Sequence, residues 1–168
     1  MNPPRFFRAW ANEQTTSQIP GEVMQYWKQY LATLSSAEAA PDFDYWHFGD
    51  SEEMANDLAE LVLNGTKTAT SSLLWEIQEH GWKEPKTGDK VVITFWNGRP
   101  ACIIEFTETL VKPFDEIDES FVRDYGEGDR SLVWWRSAMW DYYSAACRTA
   151  RRRPYPKMPV ACQRFRLL

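Results

Sequence analysis

Residues 46–76 read WHFGDSEEMANDLAELVLNGTKTATSSLLWE, and the rest of the chain is placed around them. Asp50 or Ser51 can cap a helix, because a short side-chain oxygen accepts from an otherwise unpaired N–H of the first turn. Glu53 suits the positive end of the helix dipole. Met54, Leu58, Leu61 and Val62 then recur at helical spacing and define a buried face. Asn64-Gly65 ends the helix, since Gly65 takes the left-handed cap position at no steric cost. Thr66–Trp75 follows directly and leads into a strand.

Upstream, Tyr45–Phe48 reads as a short strand. Val23, Tyr26, Trp27, Tyr30, Leu31 and Leu34 make Gly21–Leu34 an amphipathic helix. Residues 1–20 are a polar lead-in, and Ser35–Pro41 is a linker of small residues. Downstream, Gly88-Asp89 is a turn. Lys90–Trp96 and Arg99–Val111 are strands joined at Asn97-Gly98, a strong hairpin signal. Asp115–Asp124 predicts a short helix and Ser131–Cys147 a longer one. Val160–Leu167 alternates as a closing strand. Strands joined by hairpins and mixed with a few helices predict a small barrel or an α+β domain rather than a wound parallel sheet. Leu58, Leu61, Val92, Ile93, Ile103, Ile104 and Phe165 are its expected core. Residues 1–41 form an N-terminal extension with one amphipathic helix, and 42–168 the domain proper. Neither a GxGxxG nor a GxxxxGK phosphate loop is present.

Composition narrows the partners. Hydrophobic residues make up 43% of the 168, enough for one filled core, and the nine Trp supply flat surface for packing or for stacking on bases. The net charge is −5, yet residues 141–168 hold seven basic residues against one acid. A basic tail on an acidic body is a local footprint for RNA or a nucleotide-like ligand; a solvated Arg-rich loop fits the same residues. No apolar run approaches the roughly 20 residues that span a bilayer, so no membrane partner is expected. Cys102, Cys147 and Cys162 are scattered with no metal-binding spacing, and the start of the chain carries no secretory pattern. Both point to a reducing cytoplasm; no cofactor and no metal ligand set is expected, and a loosely held Mg²⁺ stays open.

Two segments carry candidate chemistry. In the first, Lys67 lies just past a helix end with Thr70 three residues on. A lysine in a partly buried cleft loses its proton more readily and can act as a base, with the threonine as nucleophile or water holder. Alternatively Lys67 stays charged and holds a phosphate, with Thr68, Thr70 and Ser71 adding hydroxyl contacts. An exposed polar turn also fits this spacing. In the second, Gly126-Glu127-Gly128-Asp129-Arg130-Ser131, two glycines let the backbone bend sharply and present Glu127 into a cleft. Asp129 can cap the following helix.

The 46–76 stretch, the loop GEGDRSLVWWR at 126–136 and the ending MPVACQRFRLL at 158–168 resemble, in order, the blocks of the ASCH family in its longer bacterial branch. The resemblance implies a PUA-like β-barrel with a cleft facing RNA or a nucleotide. In the small amidohydrolase branch, which deacetylates acetylated cytidine, a Lys and a Thr of a KxxT element and a later Glu are catalytic; these correspond to Lys67, Thr70 and Glu127. Other members are described as cleaving single-stranded RNA. The chain departs from its relatives at Met139, where they often carry His, and at Gln163, where they often carry Glu. His47 reads as a packed structural residue. The expected function is a hydrolase acting on RNA or a modified nucleoside, with Lys67 as base, Thr70 as nucleophile or water holder and Glu127 as proton shuttle. The rival is a binding module in which Lys67, Arg130, Arg136 and Arg164 grip phosphates and Trp75 or Trp135 stacks a base. In either case Lys67, Thr70, Glu127 and Ser131 should converge on one concave site.

Overall fold

The computed structural model describes residues 19–34 and 42–168; the lead-in before residue 19 and the linker at 35–41 lie outside the described residues. The elements are α1 (Gly21–Thr33), β1 (Phe43–Trp46), α2 (Glu52–Leu63), β2 (Ala69–Leu73), α3 (Leu74–Glu79), β3 (Lys90–Thr94), β4 (Pro100–Pro113), a 3-10 turn at Phe114–Glu116, α4 (Glu119–Tyr125), α5 (Leu132–Thr149) and β5 (Pro159–Leu167).

The fold is α+β, with all five strands in one sheet ordered β1-β3-β4-β5-β2. β1 runs parallel to β3, and every other neighbouring pair is antiparallel. The sheet is not closed into the expected barrel: β1 and β2 are its edges and do not pair with each other. Trp46 from β1 and Thr70 from β2 instead contribute to the walls of one cavity.

Local signals place most elements. Ser51 caps α2, its hydroxyl accepting from the Met54 N–H at 3.3 Å. Gly65 leaves the helix at φ +77°, and the Asn64 side chain accepts from the Thr66 N–H at 3.0 Å. At the β3–β4 hairpin the Gly98 N–H donates to the Phe95 carbonyl at 2.9 Å, and the Asn97 side chain accepts from the Arg99 N–H at 3.0 Å. The expected helix over Asp115–Asp124 divides into the 3-10 turn and α4. Ile117 and Asp118 are extended, and Asp118 caps α4 by accepting from the Phe121 N–H. Ser131 rather than Asp129 caps α5; Asp129 accepts from the Ser131 N–H one step earlier. Helix α3 is not foreshadowed by the sequence reading, which runs Thr66–Trp75 into a strand.

Burial divides into three clusters. Leu58, Ile93, Ile104 and Phe165 join Trp46, Phe48 and Phe106 on the α2 side, with Leu61 half-buried at its margin. Val92 and Ile103 instead pack against Val23 and Trp27 of α1. Alternate residues of β3 and β4 thus serve opposite faces, as strand geometry requires, and both faces are covered. The third cluster joins α4 and α5 to β2 and β5 through Phe121, Trp135, Tyr143, Leu73 and Cys162.

Candidate functional site

Lys67 is placed by backbone clamps on both sides. Its own N–H returns to the Leu61 carbonyl at 2.9 Å, the Thr68 N–H donates to the Asp124 carbonyl at 2.7 Å, and the Thr68 carbonyl accepts from the Phe165 N–H. The turn after α2 is thereby pinned between α4 and β5. Lys67 is not on an exposed turn: it is 1% exposed. Its Nζ donates to Glu127 Oε1 at 2.6 Å, to the Ala69 carbonyl at 2.9 Å and to the Tyr125 carbonyl at 3.2 Å. It also lies 3.9 Å from the centre of the Tyr125 ring.

Glu127 is placed by its glycines. Gly126 ends α4 at φ +76°, and a Cβ there would stand 2.3 Å from the Thr66 carbonyl oxygen. Only glycine lets the Glu127 loop come this close to the Lys67 turn. Gly128, at φ +58°, lies against the Trp134 ring in the same way.

The electrostatics of the pair follow from this packing. Burial lowers the Lys67 pKa, and the charge and hydrogen bond of Glu127 push it back up. An ammonium has three donors and no acceptor, and Nζ meets three acceptors. A neutral amine would turn its lone pair on one of those oxygens. The geometry therefore fits a lysine cation held against the Glu127 carboxylate.

Glu127 opens onto a cavity of about 230 Å³. Its walls include Trp46, His47, Phe48, Thr70, Trp134 and Tyr142. Thr70, 9% exposed, carries a hydroxyl with no hydrogen-bond partner among the described residues. Met139 also lines this cavity, and its sulfur accepts from the Tyr125 hydroxyl at 3.6 Å.

The structure therefore brings Lys67, Thr70 and Glu127 together, and it places the remaining candidates elsewhere. Ser131 is engaged as the α5 cap, accepting from the Trp134 N–H at 3.1 Å. Ser71 points to the opposite sheet face and pairs with the Tyr143 hydroxyl at 2.8 Å. The Thr68 hydroxyl donates to the Asp124 carbonyl. Arg130 is turned back onto the Arg123 carbonyl, and Arg136 donates to the Asp115 and Ile117 carbonyls. Arg164 is ion-paired with Glu108 and Asp124. Trp75 carries the Arg152 guanidinium over its ring at 4.6 Å, and Trp135 is wholly buried. None of these residues lines the cavity.

The sequence reading missed the aromatic walls and gave His47 only a packing role. His47 lines the cavity and lies 5.1 Å from Trp96, ring centre to ring centre. Trp134, Ala138 and Tyr142 recur every fourth residue on α5, and that stripe was the available signal. Among the described residues, no group of three or more His, Cys, Asp or Glu could hold a metal ion.

An α+β sheet with a lysine–glutamate pair buried beside an aromatic cavity defines the class, and comparison with known proteins defines the family. The ASCH domain family matches residues 44–168, and the chain belongs to it. An ASCH domain from Lactobacillus crispatus JV V101 superimposes with a TM-score of 0.83 at 30% identity, covering 90% of this chain and 97% of that one. A protein from Enterococcus faecalis V583 gives a TM-score of 0.76 at 30% identity, with 88% of each chain covered. No curated protein matches the chain.

Proposed function

We propose that this protein binds one nucleoside unit, free or within RNA, and hydrolyses an acyl group from it. The observation that carries this reading is the Lys67–Glu127 pair, 2.6 Å apart, opening beside the unpartnered Thr70 hydroxyl into an aromatic cavity. Trp46, Phe48, Trp134 and Tyr142 supply flat faces suited to a base. The volume suits a base or nucleoside. The arginines offered for phosphate contacts are engaged elsewhere.

The geometry supports the following roles. With Nζ surrounded by acceptors, Lys67 supplies charge rather than a lone pair, and Glu127 becomes the proton acceptor. The nucleophile, Thr70 Oγ1 or a water it holds, passes its proton to Glu127 as it attacks the acyl carbon. Glu127 returns that proton to the amine as the acyl C–N bond breaks; where Thr70 Oγ1 attacked, a water then cleaves the acyl ester on Thr70, its proton passing through Glu127 back to Oγ1 as the carboxylic acid departs. The adjacent Lys67 cation stabilises the carboxylate before and after transfer.

A panel of N-acylated nucleosides, with products read by mass spectrometry, tests this. Wild type should release the free nucleoside. Glu127→Gln and Thr70→Val should each lower turnover by about 100-fold or more while binding persists. Full turnover in either variant would sink the assignment. Met139 favours a second reading: a thioether on the cavity wall moves no protons, and a wild type that binds nucleosides but turns none over is a binding module.

A further inference from the structure

Strand β5 carries a buried amide that the fold leaves unsatisfied. Gln163 is 0% exposed, and neither its Oε1 nor its Nε2 has a hydrogen-bond partner among the described protein groups. Gln163 sits directly across from Thr70 in the antiparallel β2–β5 register. Residues directly opposed across such a pair share one face, with Cβ atoms about 4.5–5.5 Å apart. Ser72, two residues beyond Thr70, lies on the same face, and its hydroxyl is likewise 0% exposed and unpartnered. Phe165, two residues beyond Gln163, places this face toward the α2-side core. The opposite face is different in kind: Ala69, Leu73 and Cys162 are packed there, and Ser71 is paired with Tyr143.

Three polar side chains thus meet on one sheet face with their hydrogen-bonding capacity unused. Leaving a buried polar group without a partner destabilises the fold. Buried waters resolve such sites by making about two to four bonds to nearby polar atoms. Between them, Gln163, Ser72 and Thr70 present one amide and two hydroxyls. We propose that they form a built-in hydration site, a bound water held by the Gln163 amide and the Ser72 hydroxyl and bonded to the Thr70 hydroxyl at the cavity edge. Gln163 then acts as a positioning residue: through the water it sets the direction of the Thr70 hydroxyl, which touches the cavity where Gln163 does not. The site stands whether or not the cavity catalyses.

Replacing an unsatisfied amide by an apolar side chain of similar shape is neutral or stabilising, whereas removing an amide that holds a water is destabilising. Gln163→Met in the full chain therefore gives a result whose sign decides. The proposal expects the melting midpoint to fall by about 2–6 °C, the shift that loss of a hydrogen-bonded group produces in a chain of this size. It also expects Gln163→Met and Thr70→Val to be non-additive, because each breaks the same water-mediated link. A high-resolution crystal structure of the wild type should show density within hydrogen-bonding distance of the Gln163 amide and of Thr70. An unchanged or raised midpoint, additive effects, or a Gln163 amide bonded directly to protein atoms in that structure would each overturn the proposal. Should Gln163→Met fail to fold, the wild-type crystal structure decides alone. All three readouts are independent of turnover, so their failure is distinct from failure of the hydrolase reading.

Discussion

Glu127→Gln removes the countercharge of Lys67 while keeping the shape of the site. The amide carbonyl still accepts from Nζ, so one hydrogen bond survives and the charge alone is lost. Breaking a buried ion pair by removing one partner costs about 3–5 kcal/mol. Glu127 is 21% exposed, so water already screens part of the pair, and the lower end applies. In a 168-residue chain, about 3 kcal/mol corresponds to a fall of about 6–12 °C in melting midpoint. The pH dependence supplies the signature. Burial lowers the Lys67 pKa, and Glu127 pushes it back up; with Gln in place that upward push is gone. Lys67 then gives up its proton at a lower pH than in wild type. Between the lowered folded pKa and the ordinary value for lysine, the unfolded chain binds more protons, so stability rises with pH. Below the folded pKa both states are protonated, and the variant shows its full deficit. The gap between variant and wild type should therefore narrow as pH rises from about 7 toward about 10. Urea denaturation of both proteins across that range measures it. A deficit under about 1 kcal/mol, or a gap that does not narrow, refutes the picture of Lys67 as a buried cation dependent on Glu127.

Gly126→Ala places a methyl group against the Thr66 carbonyl at a left-handed backbone position. It should cost at least about 1–3 kcal/mol and part Glu127 from Lys67, which calorimetry and a crystal structure would register; an unmoved loop would contradict the tight approach. Glu76 on α3 is buried with one oxygen unpartnered, and burial, with Glu79 nearby, pushes its pKa from 4.5 up to about 7. A raised carboxyl pKa means the folded state binds the extra proton, so wild-type stability should decline by about 3 kcal/mol from about pH 4.5 to about pH 7 and stay low above it. Glu76→Gln should remove that decline in pH-dependent denaturation, and an unchanged profile would assign it to other groups. Arg151, Arg152 and Arg153 are exposed after α5, but Arg152 is already paired with Glu79. Replacing all three by Ala should weaken binding of a short single-stranded RNA and reduce the log–log salt slope by about 1.4, the value for two released contacts; an unchanged slope would leave the run as a solvated loop.

The sequence alone determined what short-range chemistry can specify. The Ser51 cap, the Gly65 exit, the Asn97-Gly98 hairpin and the apolar face of α2 rest on bonds and contacts within a few residues, so their letters sit together and can be read directly. Lys67, Thr70 and Glu127 stood out because two odd segments carried polar residues beside glycines, and resemblance to a family joined them. The tertiary structure alone decided the rest. Whether the sheet closes depends on two edge strands that never meet in sequence. Which aromatics wall the cavity depends on how β1, β2 and α5 face one another. The charge state that fits Lys67 depends on carbonyls of Ala69 and Tyr125 aimed at it from two different elements. Arg130, Arg136 and Arg164 looked free for phosphate in the sequence because their partners, backbone carbonyls and distant carboxylates, are chosen only once the chain has folded. Gln163 marks the same boundary: its opposition to Thr70 is a matter of strand register, which is set by pairing between strands whose partners lie 87 to 95 positions apart.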